Sequence, residues 1–336
     1  MADDYTFQLS AFIAKLGWKQ IPPEVAVKCK THLLDTLGVA LAGSDTPHAR
    51  QATDVIREFC CMPESTVINR SWKTTAAEAA FVNAIMAHGI DFDDGHKFIH
   101  PGCVVVPVCM GLAEKYHVDG RSLMLALLAG YETSIRVSLA AGLSHRERGY
   151  HPTGTCNTFG AAASAAKLMG FDAGQINSCL GIACTQAAGI TQYRFDGSPI
   201  KHLHAALAAR NGVLAALLSA KGFRGANEAL EGQFGFLNVT AEGGEPDWLA
   251  GNWDTRFFIL EADIKPYPSC RQTHAPVDLI LTAAMENDIY PQDVNQITLH
   301  TYAYAYQTWL ISTKPPTSGL QAMLNTPYCL SSALVN

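Results

Sequence analysis

No C-x-x-C pair occurs among the ten cysteines of this chain, and Cys60 and Cys61 are direct neighbours. A thiolate zinc site or an iron–sulfur cluster therefore lacks its usual ligand spacing. No glycine-rich phosphate loop follows a strand pattern, and no G-x-S-x-G elbow or Ser-His-Asp arrangement is visible, which removes the common marks of nucleotide binding and serine-type acyl transfer. Concentrated positive charge is missing as well: 24 basic and 30 acidic residues are well mixed and give a net charge of −6. Nucleic acids and anionic membrane surfaces both require basic clusters, so neither is an expected partner. Apolar runs such as SLMLALLAGY and VLAALLSA are broken by small or polar residues before the roughly 20 residues of a bilayer span, and no transmembrane helix is expected. The opening MADDYTFQLS has neither the basic region nor the apolar core of a secretory signal. A cytoplasmic location is expected, with a mitochondrial one left open.

What remains is a chain of 336 residues, 48% hydrophobic and 16% charged, able to form one large domain or two unequal ones. From Pro22 to Gly43 it opens on prolines, carries apolar residues at helical spacing and stops at glycine, the signals of a helix. The same texture, rich in Ala, Gly and Ser, recurs over 74–89, 120–142, 156–170, 174–189 and 202–222. Small side chains on several helices allow close backbone approach, so residues 1–263 are expected to form one all-helical domain. The cysteines sit mostly in these helical patterns, which predicts free, buried thiols. Near Trp253 the texture changes. The stretch ILEADIKPYPSC looks extended, APVDLILTAAMEND resumes a helix, and NQITLHTYAYAY alternates like a strand. The fold class is thus mainly α, with a smaller α+β unit over 264–336 that ends at SSALVN inside a helical pattern without a cap.

Four segments carry chemistry. HGIDFDDGHKFIHPG (88–102) holds three histidines and three aspartates. Asp91, Asp93, Asp94, His96 and His100 could in principle ligate a divalent ion, but neither an H-E-x-x-H helix nor a calcium-loop spacing is present. The rival reading has the aspartates capping helices and pairing with neighbouring cations, and no metal is expected. Next, YHPTGTCN places His151, Thr153 and Thr155 ahead of a helix read as starting near Asn157, where a carboxylate would find unpaired N–H groups. Thr155 or Asn157 could equally be a simple cap. DGSPIKHLHAALAARNG adds Ser198, Lys201, His202, His204 and Arg210, a weak signal alone. KPYPSCRQTHAPVD adds Lys265, Arg271 and His274 in a proline-stiffened stretch at the expected domain junction, a usual setting for ligand sites. Together they offer Lys201, Lys265 and Arg271 as cations, His100 and His151 as proton carriers, and Asp91 to orient one of them. Such a set suits a substrate with two or three carboxylates.

With these segments in this order, the chain resembles the MmgE/PrpD family, which includes 2-methylcitrate dehydratase, cis-aconitate decarboxylase and iminodisuccinate epimerase. AHGIDFDDGHKFIHPG, YHPTGTCNTFGAAASAAKLMG, LGIACTQAAG, KHLHAALAARNGVLAALLSAKGF and KPYPSCRQTHAPVD carry the likeness, which runs from about Thr6 to the last residue. The resemblance implies a large helical domain and a smaller α+β lid with the active site between them, no metal or organic cofactor, and a homodimer through the helical domain. It also implies active-site roles for Asp91, His100, His151, Lys201 and Lys265, and for either His274 or the position held by Cys270. Two departures stand out. Gly95 follows DFDD where human-type cis-aconitate decarboxylases have threonine, with one residue fewer before the next histidine. Family members also continue beyond a segment like NTPYCLSSALVN, so the lid is expected to be incomplete.

The leading expectation is a lyase that dehydrates 2-methylcitrate or another alkylcitrate. Lys201, Lys265 and Arg271 would clamp carboxylates as a carbanion-like centre develops, with His274 and Thr155 also touching substrate. His100 and His151 would exchange the protons. Decarboxylation of cis-aconitate and epimerisation of iminodisuccinate are alternatives on the same residues. A reading from another class is a truncated, inactive dimerisation or interaction module.

Overall fold

The computed structural model describes residues 4–59, 62–253, 255–307 and 310–335. Cys60 and Cys61 lie outside the described residues; the eight described cysteines are all free thiols. The chain divides into two units: Met1–Thr191 with Lys201–Ile264, and Gln192–Ile200 with Lys265–Asn336.

In the first unit, α1 (Tyr5–Lys15), α2 (Pro23–Gly43) and α3 (Pro47–Glu58) precede a two-residue hairpin, β1 (Ser65–Thr66) against β2 (Lys73–Thr74). Then come α4 (Ala76–His88), α5 (Gly102–Tyr116), α6 (Gly120–Glu147), α7 (Pro152–Leu168) and α8 (Ala173–Cys184). After α9 (Tyr193–Asp196), which belongs to the second unit, α10 (Ile200–Ala220) and the short α11 (Phe236–Thr240) complete it. Local chemistry sets many of these boundaries. Proline stands at the start of α2, α3 and α7, where its missing N–H costs nothing. Asp119 caps α6 and Asp172 forms a capping box with Gln175 at α8, each satisfying amides that the helix leaves unpaired. α7 starts at Pro152 with His151 as its N-cap, five residues before the start expected near Asn157, so Thr155 lies inside the first turn and caps nothing.

Small residues set the packing of α6 on α7. A Cβ on Gly130 would sit 2.0 Å from Ser164 Oγ, and one on Gly160 1.9 Å from Ser134 Oγ. Only glycine permits that approach. By length and composition α6 and α10 could each cross a bilayer, contrary to the expectation from their short apolar runs. Of the most apolar window, 83% in α6 and 56% in α10 is buried against the rest of the fold, so much of that apolar surface serves the core.

The second unit contains α9, α12 (Arg271–Glu286), α13 (Gly319–Met323) and α14 (Thr326–Val335). Tyr193, Cys270, Leu310, Leu320 and Leu324 form its small core. The strand expected over NQITLHTYAYAY does not form: among the described residues of this unit no ladder is present, and Ala303–Ala305 makes a 3-10 turn. A strand pattern becomes a strand only where a neighbour satisfies its backbone groups.

Candidate active site

The site begins where α4 stops. Past Gly89, Asp91 takes a left-handed backbone (φ 51°), a conformation aspartate tolerates better than most residues, and the next residues turn sharply enough to send the three carboxylates in different directions. Asp91 meets Lys201, Oδ1 to Nζ 3.0 Å, with both side chains buried. Asp93 Oδ2 lies 2.7 Å from His88 Nδ1. Asp94 accepts from the Gly102 amide at 2.9 Å and from the Tyr131 hydroxyl at 2.5 Å, with His32 also alongside. His96 approaches Glu261 at 3.7 Å, and Gly95 pairs through its backbone with Asp263. Asp93 and Asp94 therefore hold the segment onto α4, α5 and α6, while Asp91 reaches the lysine.

This divergence removes the alternating carboxylate ligand set considered for a metal. Among the described residues, His88, Asp93 and Cys103 are the group whose ligand atoms converge, within 4.8 Å. An ion there would have to break the His88–Asp93 hydrogen bond and strip the proton from Cys103. Burial already holds that thiol well above its ordinary range, and Asp93 pushes it further.

The half-buried His100 ring is fixed from behind. Its Nδ1 lies 2.7 Å from the Asp94 carbonyl oxygen; a carbonyl only accepts, so the proton sits on Nδ1 and acid/base exchange falls to Nε2. Asp93 Oδ2 is 3.6 Å from the same Nδ1, and the His100 carbonyl accepts from Asn157 of α7 at 2.7 Å. His151, 4% exposed, stands at the head of α7 with Nδ1 3.0 Å from His204 Nδ1. The His88 ring lies 5.3 Å from His100 and 6.1 Å from His151, centroid to centroid, which places both expected proton carriers around one buried imidazole.

One helix supplies two of these partners. Lys201 and His204 are three residues apart in α10, hence on one face. His202 stacks on His48 at 4.2 Å and meets the His88 ring edge-on at 5.7 Å, and Arg210 pairs with Glu78 at 2.8 Å. Burial first, then the Lys201 cation, pushes His202 well below its usual range and His204 down to about 4.

Thr155 is placed differently from expectation. Its hydroxyl is fully buried, 2.8 Å from His145 Nε2 and donating to the His151 carbonyl at 3.2 Å. It braces the head of α7 instead of presenting a donor to a substrate. The Gly154 and Thr155 amides likewise return to the His151 carbonyl, at 2.8 and 3.0 Å, so those two are not the open anion donors expected there. Lys265, Arg271 and His274 belong to the second unit. Lys265 is buried, Arg271 is exposed at the start of α12, and His274 Nε2 donates to the Ser269 carbonyl at 3.1 Å. Cys270 is the N-cap of α12 and donates its amide to the Met323 carbonyl at 2.8 Å.

His88 and His204 lie in two of the four segments but have no role in the expected set of cations and proton carriers. The signal for His204 is its i, i+3 spacing from Lys201, and for His88 its place at the end of a helix.

The profile of the MmgE/PrpD N-terminal domain matches residues 7–249, and that of the C-terminal domain matches 267–336. The chain belongs to the MmgE/PrpD family. Among curated relatives, the cis-aconitate decarboxylase-like protein oryM of Aspergillus oryzae is 31% identical over 249 residues, covering 71% of this chain and 52% of the relative. The cis-aconitate decarboxylase of Aspergillus terreus is 26% identical over 362 aligned residues, 98% of this chain and 72% of the relative. The human cis-aconitate decarboxylase is 31% identical over 293 residues, 83% of this chain and 59% of the relative. The chain thus spans about half the length of the first of these MmgE/PrpD relatives and somewhat more of the others.

Proposed function

We propose that this MmgE/PrpD protein is a lyase for citrate-like polycarboxylates, and that its reaction is the decarboxylation of cis-aconitate. The observation that carries the reading is the buried Asp91–Lys201 pair set beside two braced imidazoles, His100 and His151. Asp91 holds the ammonium in place, and a substrate carboxylate would join it as a second acceptor on Lys201. When carbon dioxide leaves, its bonding pair stays on the adjacent carbon and spreads over the alkene. A fixed cation stabilises that charge where water is scarce. A proton from His100 or His151 then completes an unsaturated dicarboxylate. No metal or organic cofactor has a part in this scheme. The names of the relatives support decarboxylation over the dehydration that the sequence first suggested.

A second reading, dehydration of 2-methylcitrate or another alkylcitrate, is favoured by Gly95. A Cβ there would lie 3.6 Å from His100 Nδ1, so any side chain at this position would stand against that histidine. Epimerisation of iminodisuccinate would use the same groups. Incubation with cis-aconitate, 2-methylcitrate, citrate and iminodisuccinate, followed by carbon dioxide release and product NMR, separates them. Carbon dioxide from cis-aconitate is the expected result; alkene formation from 2-methylcitrate without it would overturn the decarboxylase reading. Turnover of none of the four would favour the interaction-module alternative.

The substrate-binding roles of Lys265 and His274 rest on the resemblance and that of Arg271 on its charge in the same segment, and single Ala replacements are expected to raise KM. A homodimer through the helical domain is proposed on the same ground. α2 offers a face for it, since Val27, Leu34 and Leu41 recur every seven residues and are each more than half exposed. Light scattering should give a dimer that Leu34→Glu weakens.

A further inference from the structure

The geometry points to His204 as a positioning residue that fixes the tautomer of His151, an inference that rests on reading His151 as an acid/base group. The two Nδ1 atoms lie 3.0 Å apart and both residues are buried, 4% and 6% exposed. At that distance one nitrogen must carry a proton and the other a lone pair.

Several features of the fold exist to seat this contact. The His151 amide donates to the Gly189 carbonyl at 3.0 Å, which anchors the head of α7 to the loop after α8. Gly189 itself has φ +141°, and a Cβ on it would stand 3.2 Å from His204 Cγ. Gly154 flanks the other side: a Cβ there would come within 3.0 Å of His204 Cβ. Two residues without side chains therefore border His204, Gly189 at its ring and Gly154 at its Cβ, and α10 delivers the ring one turn after Lys201 engages Asp91.

The direction of the hydrogen bond follows from the proton cycle. Once His151 has taken a substrate proton on Nε2 it is an imidazolium with N–H on both nitrogens, so its Nδ1 needs an acceptor. His204 can accept only while neutral. Burial and the Lys201 charge bring it to about 4, which keeps it neutral near pH 7. The one arrangement that serves both states of His151 without rearrangement has the proton on His151 Nδ1, the lone pair on His204 Nδ1, and Nε2 of His151 as the exchanging atom. The step moves one proton from substrate carbon or solvent to Nε2 and returns it, with no net redox change.

The test is long-range proton–nitrogen NMR of protein labelled at histidine, with His151 assigned from the signals lost in His151→Gln. The full chain is compared as wild type, His204→Phe and His204→Gln, each checked for folding by circular dichroism. Expected are an Nδ1-protonated neutral His151 in the wild type, its retention in His204→Gln, whose amide oxygen can still accept, and a shift to Nε2 protonation in His204→Phe. With cis-aconitate as probe, His204→Phe should lose about 10–100-fold in kcat, the usual scale for a residue that orients another, with KM little changed, and His204→Gln should recover most of it. Nε2 protonation of His151 in the wild type, or an unchanged tautomer in folded His204→Phe, would overturn the proposal. If His204→Phe does not fold, the wild-type tautomer and His204→Gln decide. Absence of turnover in the wild type bears on the proposed function alone, because the tautomer is read without substrate.

Discussion

Replacing both members of the Asp91–Lys201 pair should cost much less than the two single replacements added together. At 3.0 Å and an effective dielectric of about 20, the two charges attract by roughly 5–6 kcal/mol. Much of this offsets the hydration both groups give up on burial. Lys201→Met leaves a carboxylate buried without its cation. Asp91→Asn leaves the ammonium without its anion, yet keeps a residue that accepts the left-handed backbone at 91. Each single change is expected to destabilise the helical unit by about 3–5 kcal/mol, the range for a broken buried pair. The double variant should lose much less than the sum, with a coupling of roughly 2–3 kcal/mol. At roughly 2–4 °C per kcal/mol for a unit of this size, each single variant should lower Tm by about 6–20 °C. Urea and thermal unfolding of the four proteins, followed by circular dichroism, give the complete cycle. Additive losses, or single losses under about 1 kcal/mol, would mean that the pair behaves as a solvated surface bridge, and the argument for a fixed cation in the site would fall with it.

Three further outcomes follow from particular contacts. Gly95→Thr should fold normally, since its Cβ would meet Ile99 O and His100 only at ordinary contact distances of 3.5 Å or more; thermal melting should shift little, while the ratio of carbon dioxide release to dehydration should change. The helical unit should weaken in acid through His145, which burial holds at about 4 against an ordinary 6.5. Its folded pKa is depressed, so the unfolded chain binds the proton first, and stability is full above about pH 6.5 and falls as pH drops towards 4. The loss is at most about 3 kcal/mol, and His145→Gln should flatten that part of a Tm–pH curve. Gly130→Ala should cost about 1–3 kcal/mol by overpacking, because the new methyl meets Ser164 Oγ at 2.0 Å and Val105 at 2.7 Å. Ser164→Ala should restore part of the loss in urea titrations.

The helices that the sequence displayed best are those with proline or an Asp, Ser or Thr cap at the start and glycine at the end, such as α2 and α4. α5 was not legible. Its VVVPV run and internal Pro107 argue against a helix, but the whole stretch from Gly102 to Cys109 is buried, and tertiary packing overrides so weak a preference. In α6 the glycine at 142 does mark a break: its backbone is non-helical at φ 65°, and two helical stretches meet there at a kink. The unformed strand over NQITLHTYAYAY is the opposite failure. Period-two alternation reports which faces are apolar, whereas a ladder depends on a partner elsewhere in space.

The candidate site shows the same division between what is local and what is distant. Asp91, His100, His151 and Lys201 could be picked out because each sits in a short run dense in polar residues at the edge of an apolar helix. Thr155 was picked for the same reason and is placed behind the site, since a first-turn hydroxyl in α7 points towards His145 when the helix starts at Pro152. What local density could not supply is the assignment of partners. In DFDD the side-chain directions are set by one left-handed residue, Asp91, so that of three adjacent acids one reaches α10 and two fasten the turn to α4, α5 and α6. Two of the seven charged or ionisable side chains in the segment 88–100 thus face the chemistry argued above, Asp91 and His100. Each depends on the others for its position: on Asp94 for the tautomer of His100, and on Asp93 for holding His88 between the two exchanging histidines.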